Sequence, residues 1–176
     1  MKKKIILIAI GIFTMTSSYS QVFSDLPFNI KIGETGHEEI ENHGVCEKRI
    51  KVSAYSFRCE EYEIAGKFRV FMSQNEVVNK IKFSNYHNHR LPRKWSELGL
   101  SLGSGYQGSD GLFTQTTNGT QKEEVLRILK LQGISGIREI KSSDYKDILF
   151  ELGNYEYQFR VHYGKGLWSI NISEFY

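Results

Sequence analysis

The sequence predicts an α+β protein built as two degenerate repeats, each a helix packed on a four-stranded antiparallel meander, together forming one extended sheet surface. Three observations lead there. The stretch FRVFMSQNEVVNKIKFS, from Phe68 to Ser84, reads as a strand, a short turn and a second strand, and FRVHYGKGLWSINIS, from Phe159 to Ser173, repeats that pattern in the second half. Each half also carries a short segment with helix-start chemistry, at Thr35–Ile40 and Thr120–Val125. Finally, Tyr155, Tyr157, Phe159, Val161 and Tyr163 alternate with Glu156, Gln158, Arg160 and His162, which is the period of a sheet with one covered and one wet face.

The first element is not part of the fold. Lys2, Lys3 and Lys4 precede an apolar run from Ile5 to Phe13, and Ser18 and Ser20 supply the small residues of a cleavage site. Residues 1–20 therefore read as a secretory signal peptide, too short in its apolar run to span a bilayer. The protein is expected in the periplasm or medium after cleavage near Ser20. The chain holds 23 Lys and Arg against 20 Asp and Glu, and the three lysines of the signal account for the excess. Net charge thus gives no support to a nucleic-acid partner, and no second long apolar run suggests membrane insertion. Cys46 and Cys59 are the only cysteines. In an exported chain they are expected to form a disulfide, the alternative being two buried thiols.

The first repeat is placed at residues 21–90 and the second at 91–176. They open with LPFNIKIG (Leu26 to Gly33) and LPRKWSELGLSLG (Leu91 to Gly103), which hold both prolines of the chain. Thr35 with Glu38, and Thr120 with Glu123, have the spacing of capping boxes. Gly44 and Gly133 suit left-handed helix ends. The second helix has a clear apolar face in Val125, Leu126, Ile128, Leu129 and Leu131. Strands are expected at 49–58, 61–64, 68–72 and 77–83 in the first half. In the second half they are expected at 137–141, 148–152, 155–163 and 167–173. An extra loop at 104–118 separates the LSLG segment from the second helix.

At these residues the chain resembles a known group. An apolar-x-apolar-Gly segment, then Thr-x-x-Glu-Ile/Val, a glycine and a small antiparallel sheet is similar to the SmpA/OmlA outer-membrane assembly lipoproteins. Its tandem form resembles the β-lactamase-inhibitory-protein-like fold. The resemblance implies protein binding in an envelope, and Cys46–Cys59 is similar to the bridge such inhibitor repeats carry. The second repeat differs in having no cysteine and in its inserted loop, and the lipoprotein cysteine is missing.

Several motifs point less far. Gly103-Ser104-Gly105-Tyr106-Gln107-Gly108 spells GxGxxG, but no helix follows at once to hold a pyrophosphate, so no nucleotide cofactor is expected. His37 and His43 are six residues apart and face different sides of a helix. His87 and His89, in YHNHRLP, read as a solvated linker, and no further zinc ligands accompany them. No nucleophile elbow or paired-carboxylate signature selects a catalytic group, so the chain is not expected to be an enzyme.

The candidate binding residues lie on the wet sheet faces and the inserted loop. Arg69, Phe71, Arg160 and His162 are on the polar parity of their strands, Phe71 being an aromatic out of place there. Lys67, Lys80 and Lys82 would join them in a basic patch, unless Glu61 and Glu63 neutralise it across the strand. Tyr106, Leu112 and Phe113 are aromatic and apolar anchors on a Gly/Ser/Thr loop, suited to an interface or to packing on the core. The expected function is an exported protein-binding module, such as an inhibitor or immunity-type neutraliser of an envelope or secreted protein. The alternatives are a small secreted hydrolase, or a small outer-membrane β-barrel suggested by the aromatic terminal strand from Trp168 to Tyr176.

Overall fold

The computed structural model describes residues 21–107 and 113–175. Residues 1–20, expected to be a signal peptide, and Leu112 lie outside the described residues. Four helices occur among them: α1 (Gln21–Ser24), α2 (His37–Glu41), α3 (Arg93–Glu97) and α4 (Lys122–Leu131). The strands are β1 (Val45–Lys51), β2 (Phe57–Ile64), β3 (Phe68–Met72), β4 (Val78–Ser84), β5 (Ser104–Gln107), β6 (Phe113–Thr117), β7 (Arg138–Lys141), β8 (Tyr145–Leu152), β9 (Tyr155–His162) and β10 (Gly166–Glu174).

Eight strands make one antiparallel sheet in the order β1-β2-β3-β4-β10-β9-β8-β7, and β5-β6 form a separate hairpin. Two meanders therefore meet through their last strands, with Ile81 opposite Ile172 and Phe83 opposite Ile170. Period-2 patterning decides the faces. Val70, Ile81, Phe83, Tyr157, Phe159, Ile170 and Ile172 point to one side and join a single buried cluster with Phe23, Ile40, Trp95, Val125, Ile128 and Leu129 from the helices. All four helices thus cover one face.

Aromatics dominate the centre of that core. Phe23 is fully buried among Trp95, Phe150, Tyr157 and Phe159. Two polar contacts hold its short helix: Trp95 Nε1 donates to the Val22 carbonyl at 2.8 Å, and the Tyr157 hydroxyl to the Phe23 carbonyl at 2.6 Å. Each buried aromatic thereby satisfies its polar end.

Several local expectations are corrected. Segment 49–58 is not one strand: β1 ends at Lys51, and a turn stapled by Ser53 and Ser56 (Oγ–Oγ 2.7 Å) leads into β2. The disulfide forms between these neighbours, joining Cys46 of β1 to Cys59 of β2. Neither threonine caps its helix. Thr35 Oγ1 accepts from the Lys31 amide at 2.9 Å, and α2 starts after Gly36. Thr120 Oγ1 accepts from the Ser101 amide at 2.7 Å and donates to the Gly99 carbonyl at 3.0 Å, while α4 starts after Gln121. Each hydroxyl ties down the incoming segment by its backbone. Gly133 has the left-handed φ of +72° expected of it. Gly44 does not; it is needed for space, because a Cβ there would stand 2.6 Å from Ile64 Cδ1. Part of the inserted loop 104–118 is the β5–β6 hairpin.

Candidate functional site on the polar face of the sheet

The face away from the helices carries rows of polar side chains in register. Arg69, Lys82, Asn171 and Gln158 stand opposite one another on β3, β4, β10 and β9. Phe71, Lys80, Ser173 and Glu156 make the next row, and Ser84, Ser169, Arg160 and Asp147 the row on the other side. Arg69, Phe71, Arg160 and His162 are therefore on one continuous surface, as their parity predicted.

Two hydrogen-bonded clusters stiffen that surface. In the first, Arg69 pairs with Glu61 and, through Nε at 3.0 Å, with Glu63, both from β2. Its Nη2 lies 3.3 Å from His87 Nδ1. Glu63 is also held by His89 Nε2 at 3.0 Å, and His89 Nδ1 accepts the Ser84 amide. That amide fixes the tautomer: Nδ1 is the acceptor, so Nε2 carries the proton and donates to Glu63. Burial, reinforced by the Arg69 charge, pushes the His89 pKa down to about 4. Burial also raises Glu63, with Arg69 opposing, and lowers His87. The YHNHRLP linker is thus no solvated tether. His89 is 4 % exposed and stacks 5.3 Å from His87.

The second cluster centres on Asp147, buried although it lies on the polar face. Arg160 grips it with two hydrogen bonds of 2.8 and 2.9 Å, which raise the arginine pKa further. Gln158 donates to the same carboxylate at 2.8 Å and accepts from Asn171 at 2.8 Å. The Arg160 guanidinium also sits 4.0 Å from the Tyr145 ring centroid. His162, one turn of the pleat away, lies 5.5 Å from the Trp168 ring.

Between the clusters the face is different. The acids that pair with Arg69 and Arg160 come from β2, with Glu47 of β1 at 3.8 Å, and from β8. On β10 the positions that face outward are Ser169, Asn171 and Ser173. Among the described residues, no carboxylate lies within ion-pair distance of Lys80 or Lys82. Lys80 Nζ stands 4.4 Å above the Phe71 ring. Lys82 is half-buried, and burial together with the Lys80 charge lowers its pKa. Beside them an open cleft of about 460 Å³ is bordered by Lys48, Glu60, Glu61, Phe71, Lys80 and Glu174. The basic patch weighed against Glu61 and Glu63 is thus divided: Arg69 is ion-paired, and the two β4 lysines form no ion pair among the described residues. Lys67 leaves this face and lies over Phe28 on the helix side.

The inserted hairpin stands next to the turn that ends β4, with the Gly105 amide donating to Asn88 Oδ1 at 3.0 Å. Tyr106 falls in β5 and Phe113 opens β6. Ser104–Gln107 runs as a strand into this hairpin, which removes the context a GxGxxG loop requires. His37 meets the Tyr62 hydroxyl at 2.6 Å, whereas His43 packs on Phe28. Burial, with Glu41 nearby, pushes the Tyr62 pKa up to about 12. Among the described residues no three His, Cys, Asp or Glu side chains gather as a metal site, and no helix is long and apolar enough to cross a membrane. Sequence analysis did not single out Asp147, and it placed His87 and His89 in solvent rather than beside Arg69 and Glu63. The one trace of Asp147 in the sequence is an acid between Lys146 and Ile148 beside an apolar run.

Comparison with known proteins adds little to this geometry. No protein-family model matches the chain, and no curated protein matches it in sequence. Among solved structures, a DUF4309 family protein (YjgB) from Bacillus subtilis subsp. subtilis str. 168 aligns with a TM-score of 0.47 and 12 % identity, over 89 % of this chain and 93 % of that one.

Proposed function

We propose that the chain is an exported binding module whose polar sheet face docks an acidic patch of a partner protein. The observation that carries this is the pair of lysines on β4, Lys80 and Lys82, which have no carboxylate partner among the described residues while both neighbouring arginines do. Charges held on a rigid sheet favour one partner and one register more than they raise affinity. Phe71, stacked under Lys80, supplies an apolar anchor inside the charged patch. In this reading Arg69 and Arg160 shape the surface from within, and His162 and the β5–β6 hairpin border it. Export is supported by the disulfide and by the signal-like segment 1–20.

The duplicated design belongs to the same proposal. The strand order is the same read from either edge, each half contributing a four-stranded meander. Thr35 and Thr120 hold equivalent incoming segments, and Pro27 and Pro92 border one cleft. These features support two repeats of the β-lactamase-inhibitory-protein-like or SmpA/OmlA-like kind, and with them an inhibitor-like role.

To test the function, residues 21–176 with the disulfide formed would be immobilised and exposed to envelope extract and medium of the source organism. The retained protein would then be purified and titrated against wild type and Phe71→Ala/Lys80→Glu. The proposal expects at least tenfold weaker binding by the variant, affinity that falls with salt, and an unchanged melting temperature. Equal affinity of the two proteins would overturn it.

A further inference from the structure

On the helix-covered side, where the Pro27–Asn29 turn meets the lead-in to α3, lies an open cleft of about 420 Å³. Its walls are apolar: Phe28, Phe68, Phe83 and Leu91, with Pro27 and Pro92 at the ends. Phe68 and Phe83 are core residues, their rings 5.4 Å apart, and Trp95 packs tilted against Phe83 at 5.5 Å. The rim is cationic, formed by Lys67, Arg90 and Arg93. Arg93 is paired with Glu97, but no carboxylate among the described residues lies within ion-pair distance of Lys67 or Arg90.

One wall is held in place against local preference. Phe28 has φ 60° and ψ 23°, a left-handed conformation unusual for an aromatic residue, and Asn29 follows with φ 55°. The result is a ring 46 % exposed at the cleft, 5.8 Å from Phe68 and under Lys67 Nζ at 5.2 Å. Backbone outliers of this kind collect at ligand clamps, where surrounding structure over-determines them. The volume falls in the range of small-molecule sites, which combine apolar walls with a few placed polar groups.

We infer that this cleft binds a single-chain amphiphile with an anionic head, its chain laid along Phe28, Phe68 and Phe83 and its head between Lys67 and Arg90. An apolar body gains by leaving water along the aromatic wall. The head meets two cations that have no carboxylate partner among the described residues. A carboxylate or a phosphate head satisfies the same chemistry. This site is on the opposite face from the protein-docking surface, so either assignment can fail alone.

The test uses residues 21–176 in a Trp168→Phe background, which leaves Trp95 as the sole tryptophan. Dodecanoate, dodecyl phosphate and dodecanol are each titrated below micelle formation while Trp95 emission is followed. The expected result is a saturable change with one or both anions, naming the head group, and at least tenfold weaker binding of dodecanol. Lys67→Glu/Arg90→Glu, both at exposed positions, should weaken the anions at least tenfold and leave the melting temperature unchanged. Absence of saturation, equal binding of dodecanol, or anion binding unaffected by charge reversal would overturn the inference. So would a self-associated protein that the double variant turns into a monomer, since the occupant would then be a second copy.

Discussion

His89 commits both ring nitrogens to the protein, Nδ1 to the Ser84 amide and Nε2 to Glu63. A proton added at Nδ1 would break the first contact, in a buried site that the Arg69 charge makes less hospitable to a cation. The folded pKa of about 4 lies below the ordinary 6.5, so between these values the unfolded chain binds more protons. The neutral imidazole's contribution is therefore complete above about pH 6.5 and is lost as pH falls towards 4, by up to about 3 kcal/mol. Glu63 acts in the opposite sense. Its raised pKa lets the folded carboxyl take up a proton sooner than the unfolded one, which offsets part of the loss at the acid end. Urea unfolding of wild type between pH 7.5 and 4.5 should show this decline, and His89→Asn should flatten it. Equal slopes for the two proteins would remove His89 as the cause.

At the scale of the element, the β1–β2 hairpin depends on its covalent link. The turn from Val52 to Ser56 has no Gly or Pro; Ser53 instead accepts from the Tyr55 and Ser56 amides at 3.4 and 3.2 Å. That turn is weak, and β1 is an edge strand with bulges around Lys48. Cys46–Cys59 closes a loop with a separation of 13, so Cys46→Ser/Cys59→Ser should lower stability by about 3 kcal/mol through the denatured chain. Chemical denaturation with and without reductant checks this: reductant should destabilise wild type and leave the variant unmoved. The same turn explains why sequence reading joined β1 to β2, since serines without Gly or Pro leave no punctuation between two polar strands. Elsewhere periodicity sufficed. β3 was legible over Phe68–Met72, and β9 and α4 followed their alternation and apolar stripe. The short α1 and α3 were not, because they are held by tertiary contacts such as Trp95 Nε1 on the Val22 carbonyl. For the site, parity put Arg69, Phe71, Arg160 and His162 on one face. Which acids meet which arginines depends on strand order, and no residue type announces that β4 will pair with β10.

For the whole molecule, that pairing decides cooperativity. β4 and β10 share a ladder of five residue pairs, and Phe23 of the first half is packed among Trp95, Phe150, Tyr157 and Phe159 of the second. The outer edges are blunted instead, by Lys48, Arg49 and Lys51 on β1 and by the short, exposed, charged β7. Opening between β4 and β10 would expose two apolar-backed edges at once, so the two halves are expected to unfold together. Both tryptophans, Trp95 and Trp168, are in the second half, which makes the coupling measurable. Val70→Ala truncates a fully buried side chain on β3 and should cost roughly 1–3 kcal/mol. If the halves unfold as one, the variant shifts the urea midpoint seen by tryptophan fluorescence as far as that seen by far-UV circular dichroism. A fluorescence midpoint that stays at the wild-type value while the dichroism midpoint moves would mean two units. The β4–β10 ladder would then be a docking contact, and residues 91–176 would be expected to fold without the first half.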